Sequence, residues 1–223
     1  MEKRTVTIKR NAIESFLMYL KEAAKHHKKT VAISAAAVIA AVCLFIGGAV
    51  FYDVSSASDL REYESLMRTY ESGSKDADAF TKTVTKLVSI TDKSRFGYVH
   101  ANGYYVAAGM YFEHKMYDDA KKYYLMFADR SASSPFAPLA LFQAGVCAEN
   151  VDRYDEALTT YKRIEKSYKD SAFNDRLLYD LGRMYQKKGE KMTAKDYYSK
   201  VISQYPNSMF SYQAKMRVFL LGL

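Results

Sequence analysis

Residues 178–206 read LYDLGRMYQKKGEKMTAKDYYSKVISQYP. Leu178, Leu181, Gly182 and Tyr185 fall three and four residues apart, so they share one face of a helix. Gly189 breaks that pattern, Ala194 and Tyr198 belong to a second one, and Pro206 ends it. The stretch therefore reads as a hairpin of two helices, A and B. Gly182 on A and Ala194 on B are small enough for the two backbones to approach closely. One hairpin cannot bury its own apolar faces, so this unit requires neighbours.

The neighbours lie upstream at a fixed interval of 37 residues. Ala120, Ala157 and Ala194 keep that step, as do Tyr124, Tyr161 and Tyr198, and Ala108, Gly145 and Gly182. So do the turn elements Ser134-Pro135-Phe136, Ser171-Ala172-Phe173 and Ser208-Met209-Phe210. The earlier copies read Tyr104-x2-Ala107-Ala108-x2-Tyr111 and Leu141-x2-Ala144-Gly145-x2-Ala148. On these residues the repeat resembles the tetratricopeptide repeat, whose usual period is about 34 residues. The Gly/Ala-to-Ala interval stays at 12 in every copy, so the extra residues are expected after that point, in a lengthened helix B. Asp118 and Asp155 suit the first turn of their B helices, where the helix dipole favours a negative charge.

Working outward, residues 53–100 read as a degenerate first hairpin. Leu60, Tyr63, Leu66 and Tyr70 form one amphipathic helix after Ser58-Asp59, and Ser72-Gly73-Ser74 breaks it. Phe80, Val84, Leu87 and Val88 form the next. Residues 101–223 hold three repeats and a capping helix at 208–221, whose Phe219, Leu220, Leu221 and Leu223 leave an apolar end that either packs under the last repeat or marks a contact with a partner. The fold class is all-α, an α-solenoid of helical hairpins preceded by a transmembrane helix, with nine helices expected beyond the membrane.

The transmembrane segment is residues 30–52, TVAISAAAVIAAVCLFIGGAVFY, which carry no charge. At about 1.5 Å per residue such a helix crosses a hydrocarbon core of about 30 Å. The run is too long for the core of a cleaved signal peptide, which points to a retained signal anchor. Cys43 is a poor lipidation site, because Val42 precedes it and an apolar run follows. Residues 1–29 are a basic, amphipathic segment, with Ile13, Phe16, Leu17, Leu20 and Ala24 on one face. That segment either rests on lipid or docks on a membrane partner.

Residues 1–30 hold eight Lys/Arg against three Glu, a net +5 out of the chain's +8. Lys21, Lys25, Lys28 and Lys29 crowd one flank of the span, and Asp53, Asp59 and several Ser follow the other. The positive-inside rule then keeps the N-terminus cytoplasmic and residues 53–223 extracytoplasmic. The near-neutral remainder argues against nucleic-acid binding.

No catalytic, metal or cofactor pattern emerges. His26, His27, His100 and His114 form no ligand pair, and no Cys-x-x-Cys or phosphate-binding Gly loop is present. Cys43 and Cys147, one in the span and one in a repeat, cannot pair and read as small buried apolar residues.

A short cytoplasmic helix, one span and an extracytoplasmic repeat domain resemble the YfgM-type family of bacterial inner-membrane proteins. That resemblance implies a role ancillary to the Sec translocon, with translocon subunits or periplasmic chaperones as partners. Ser167-Tyr168-Lys169-Asp170-Ser171 and Gln204-Tyr205-Pro206-Asn207-Ser208 also resemble repeats of BamD-type and TolA-binding-protein-type envelope factors. Those lack a retained span, and they imply an assembly or scaffold role instead. Homo-oligomerisation through the small residues Ala36, Ala40, Gly47 and Gly48 of the span is a further possibility.

The tetratricopeptide resemblance also implies where a partner binds, on the concave face lined by the A helices. Carried onto this chain, the contact positions are Asn102, Tyr105, Gly109, Phe112 and Glu113 in the first copy. They are Leu139, Phe142, Val146, Glu149 and Asn150 in the second, and Arg176, Tyr179, Arg183, Gln186 and Lys187 in the third. The expectation is a groove aromatic at its middle and basic at one end. The alternative is that Tyr105, Phe112 and Phe142 only pack neighbouring repeats.

Overall fold

The computed structural model describes residues 12–26, 28–73 and 76–222. His27, Ser74, Leu223 and four of the eight Lys/Arg counted above (Lys3, Arg4, Lys9 and Arg10) lie outside them, as do the side chains of Ile13, Leu20, Ala24, Lys25, His26 and Lys28. Every described element is a helix, and the chain divides into two units, Met1–Val54 and Ser55–Leu223.

The first unit contains α1 (Ala12–His26) and the start of α2 (Lys28–Ser72). Phe16 and Leu17 of α1 are exposed. In α2 the apolar stretch exposes Ile33, Val38, Ile39, Leu44, Phe45 and Phe51, with no charge among them to satisfy water. It is the one described helix long and apolar enough to cross a membrane. Cys43 on it is exposed, not buried as its sequence context implied, since no described residue packs over it. Residues 58 and 59 do not start a new helix. They lie inside α2, because Ser55, Ser56 and Ser58 tolerate helical backbone and neither Gly nor Pro intervenes before Gly73.

The second unit stacks the end of α2 with α3 (Ala77–Lys93), α4 (Gly97–Glu113) and α5 (Tyr117–Arg130). It continues through α6 (Ala137–Glu149), α7 (Tyr154–Ser167), α8 (Asn174–Lys187), α9 (Lys191–Gln204) and α10 (Met209–Leu221). From α3 onward each helix packs on the next. Asp76 caps α3 by accepting from the amides of Asp78 and Ala79 at 3.1 and 2.8 Å. Tyr63, Leu66, Met67 and Tyr70 of α2 close over Phe80, Val84 and Leu87 of α3 and Met110 of α4. The next junction is tight as well. Gly103 of α4 lies so close to α3 that a Cβ would fall 1.9 Å from Thr91 Oγ1. Tyr104 donates to Asp92 at 2.5 Å and accepts from Arg130 at 2.8 Å, tying α3, α4 and α5 together.

The small positions work as their spacing implies. Ala120, Ala157 and Ala194 are fully buried, as are Tyr161 and Tyr198. A Cβ on Gly145 would sit 2.2 Å from the Tyr161 ring, and one on Gly182 would sit 2.7 Å from Tyr198. The A-to-B turns share one backbone feature at the 37-residue step: Lys115, Asp152 and Gly189 are left-handed, with φ of 59°, 56° and 83°. Only the third is the residue type that adopts this conformation without strain.

The extra length is not in helix B. Helices α5, α7 and α9 each have 14 residues, the same as α8. It resides in the connectors 131–136 and 168–173. Tyr168 leaves helical backbone at φ −131°, and its hydroxyl donates to the Ala132 carbonyl at 3.0 Å, pinning one connector on the previous one.

Candidate functional site

The site is the face shared by successive A helices, α4, α6, α8 and the A-like α10. Three contacts show that α6, α8 and α10 are neighbours along it. The Arg176 guanidinium lies 4.6 Å from the Phe142 ring centre, Arg183 pairs with Glu149 at 2.6 Å, and Arg217 donates to Tyr179 at 3.4 Å.

The central aromatics are not open. Phe142 is buried between Tyr161 and Phe173, with ring centres 5.2 and 5.5 Å away. Tyr179 is buried between Tyr198 and Phe210 at 5.5 and 5.6 Å. The gap left by each Gly is filled from B by a tyrosine, and the A-helix aromatic three residues earlier folds over that ring. Tyr105 does the same less completely: it is half-buried beside Tyr124 and Phe127. Phe112 is half-buried against the edge of Tyr117 at 5.6 Å.

What remains accessible is a strip of smaller groups. Leu139 and Val146 are half-buried, Asn102 binds the Tyr98 carbonyl of its own helix, and Glu113 is exposed. Asn150 is spent on the Val146 carbonyl. Beside Leu139, two connectors enclose an open cleft of about 710 Å³ with Pro135, Phe136, Tyr168 and Phe173 in its walls. The repeating Ser-x-Phe turns noted in the sequence are two sides of that cleft.

The basic end is only partly basic. Arg183 is sandwiched by Glu149 and by Asp180 at 3.0 Å, and Arg176 reaches Asp180 at 3.6 Å. Tyr161 donates to Glu149 at 2.5 Å, while the equivalent Tyr198 donates to Gln186 at 2.8 Å. Burial raises the pKa of Glu149, against the pull of Tyr161 and Arg183. Burial likewise raises Asp180, against Arg183 and Arg176. For Arg183 burial acts downward, but the two carboxylates more than offset it and the guanidinium is held above its usual value. Arg183 is thus a structural cation. Lys187, exposed and 5.9 Å over Tyr154, and the outer edge of Arg176 are left to meet a ligand.

The sequence pattern gave Leu220 only as part of an apolar end, without placing α10 on the strip. Adding 37 to Arg176, Tyr179 and Arg183 gives Gln213, Met216 and Leu220, of which Met216 and Leu220 are exposed. The period itself carried that signal. Among the described residues no group of three or more His, Cys, Asp or Glu is placed to hold a metal. Cys147 is buried, and burial pushes its thiol up to about 12 despite Lys121.

Helical hairpins in one register, with a continuous face of A-helix side chains, define an α-solenoid interaction module. The tetratricopeptide-repeat family model matches residues 139–171 and 176–208, and the second unit is a tetratricopeptide-type solenoid. A TPR repeat-containing protein of Treponema pallidum (strain Nichols) is 25% identical over 129 residues, 58% of this chain and 54% of that protein. The chain thus spans about half the length of that curated relative. A crystal structure of MamA protein superposes with a TM-score of 0.53 at 15% identity, covering 75% of this chain and 80% of that one. That likeness is one of fold.

Proposed function

We propose that this chain is a membrane-anchored, non-catalytic binding module that holds segments of client or partner proteins on its A-helix face. The anchor is the uncharged, exposed stretch 30–52 of α2, with the basic flank cytoplasmic and the repeats extracytoplasmic. The observation that carries the reading is the set of apolar groups on the A-helix strip, Leu139 and Val146 half-buried and Met216 and Leu220 exposed. Apolar spots between fixed charges suit an extended or helical peptide segment. In this reading the module serves protein export beside the translocon and periplasmic chaperones, as the family resemblance implies.

The test is photocrosslinking in intact cells from Leu139 and Val146. Adducts with translocon subunits or soluble chaperones support the export role. Adducts with cell-wall or outer-membrane machinery replace it with envelope assembly. Release of the chain by alkaline carbonate, or repeats digested only after the cytoplasm is opened, removes the anchor or its orientation.

A further inference from the structure

Helix α1 is an amphipathic helix tied to the edge of the span. It ends at His26, and the uncharged stretch begins at Thr30. Four residues of chain reach about 14 Å at most, so the end of α1 stays in or beside the headgroup layer. Its apolar positions, Ile13, Phe16, Leu17, Leu20 and Ala24, form one face of the helical register. Of these, Phe16 is 60% exposed and Leu17 58%.

Positive charge borders that face on one side. Lys21 and Lys25 stand one and two turns after Leu17, along the rim beside it, and Lys28 and Lys29 follow before the span. Glu22 falls on the far side of the register, and Glu14 in the first turn, where the helix dipole favours it. Four lysines thus meet two glutamates over residues 12–29, and the lysines gather at the end nearest the span. An apolar face with a lysine rim repeats the order of a leaflet, acyl chains and then phosphates. A lysine stem lies along apolar surface while its ammonium reaches outward to the phosphates. A protein groove would have to be brought to this face. The leaflet is already at this height wherever the span is inserted, and its anionic lipids attract each lysine near the surface.

We infer that α1 lies in the headgroup layer of the cytoplasmic leaflet, with Phe16 and Leu17 turned to the acyl chains and Lys21 and Lys25 on the phosphates of anionic lipids. The inference rests on the reading of α2 as the anchor, and it gives the chain a second binding surface besides the A-helix strip. The chain has no tryptophan, so an introduced one is the sole fluorophore of its kind. The probe is the full chain in nanodiscs of phosphatidylcholine, alone or mixed with phosphatidylglycerol, whose brominated acyl chains quench any tryptophan that reaches them.

In the mixed discs Phe16→Trp is expected to be quenched several-fold more strongly than Ser15→Trp, its neighbour on the far side of the helix. The Phe16→Trp quenching should fall several-fold in discs without phosphatidylglycerol. It should fall likewise in mixed discs when Lys21→Glu and Lys25→Glu are added. Phe45→Trp, in the span, should be quenched in both compositions. Equal quenching of Phe16→Trp and Ser15→Trp, no dependence on phosphatidylglycerol, or quenching that survives the lysine changes overturns the inference and leaves the anchor standing. Loss of quenching at Phe45→Trp removes the anchor, and the inference with it. A photocrosslinker at position 16 that joins one protein in native membranes, with Phe16→Trp unquenched in discs, overturns the inference by giving the face to a partner protein.

Discussion

Gly145→Ala and Gly109→Ala are the same substitution on two A helices, and the structure assigns them opposite signs. At Gly145 an added Cβ lies 2.2, 2.7 and 2.8 Å from three atoms of the Tyr161 ring. The ring has no room to retreat, being fully buried, stacked on Phe142 and bonded through its hydroxyl to Glu149. Overpacking costs about 1–3 kcal/mol, and displacing a hydrogen bond to a charged group costs about 1.5–3 kcal/mol more. Better helix propensity returns only about 1 kcal/mol. The net is a loss of about 3 kcal/mol, a fall in Tm of about 6–12 °C for a domain of this size. At Gly109 the nearest atom to a new Cβ is the Tyr124 hydroxyl at 3.9 Å, an ordinary contact. There the propensity gain stands alone, raising Tm by about 2–4 °C. Far-UV circular dichroism melts of the full chain read both. Pairing Gly145→Ala with Tyr161→Leu should recover part of the loss, because the clash is with the ring. A Gly145→Ala protein melting at or above wild type, or equal falls at both sites, refutes this account of repeat packing.

Lys115→Gly should stabilise by about 1 kcal/mol, since its left-handed backbone is strained for Lys and free for Gly. A lowered denaturation midpoint would show that the lysine side chain matters more than the turn. Glu149 and Asp180 both have pKa values raised in the fold, so their protonated forms favour it. Stability from them is present below the ordinary carboxylate range and is lost as pH rises through the raised values. Wild type should therefore lose stability relative to Glu149→Gln/Asp180→Asn over that window, and parallel curves of denaturation midpoint against pH would refute the burial argument. Leu139→Ser with Val146→Ser should lower crosslinked partner yield several-fold with melting temperature down by only a few degrees, as expected for half-buried positions. Phe142→Ala with Tyr179→Ala, in contrast, empties two buried sites and should unfold the stack, a cost of about 3–5 kcal/mol each read directly in the melt.

The repeat was legible because one physical demand recurs at one interval. Each A–B crossing needs a small residue on both helices and a tyrosine to fill beside them, and those types are distinctive enough to show in a single chain. The site was legible as a face but not as a surface. Register placed Phe142 and Tyr179 on the A-helix strip. It could not say that each would fold over the tyrosine behind the neighbouring glycine. Arg183 was misread for a related reason: its partners Glu149 and Asp180 come from one residue 34 earlier on another helix and one three earlier on its own. Only the first of these depends on how repeats stack. The Gly103–Thr91 contact was not read from the sequence, since it lies at the junction of the degenerate hairpin with the first repeat.

The same period shows that the capping helix α10 is built as an A helix. Helix α10 lacks the small residue by which a helix A is recognised, carrying Phe219 in its place. Position by position it still obeys the register on the side that meets α8 and α9, where Ser211, Ala214 and Leu221 are buried. Half of its pattern is thus that of an internal helix, and half is not. A pure cap would replace the outward apolar groups with polar ones, because nothing then shields them from water. Tyr212, Met216, Phe219 and Leu220 are instead retained and exposed. These exposed apolar groups belong to the most cationic helix pair of the stack, α9 and α10.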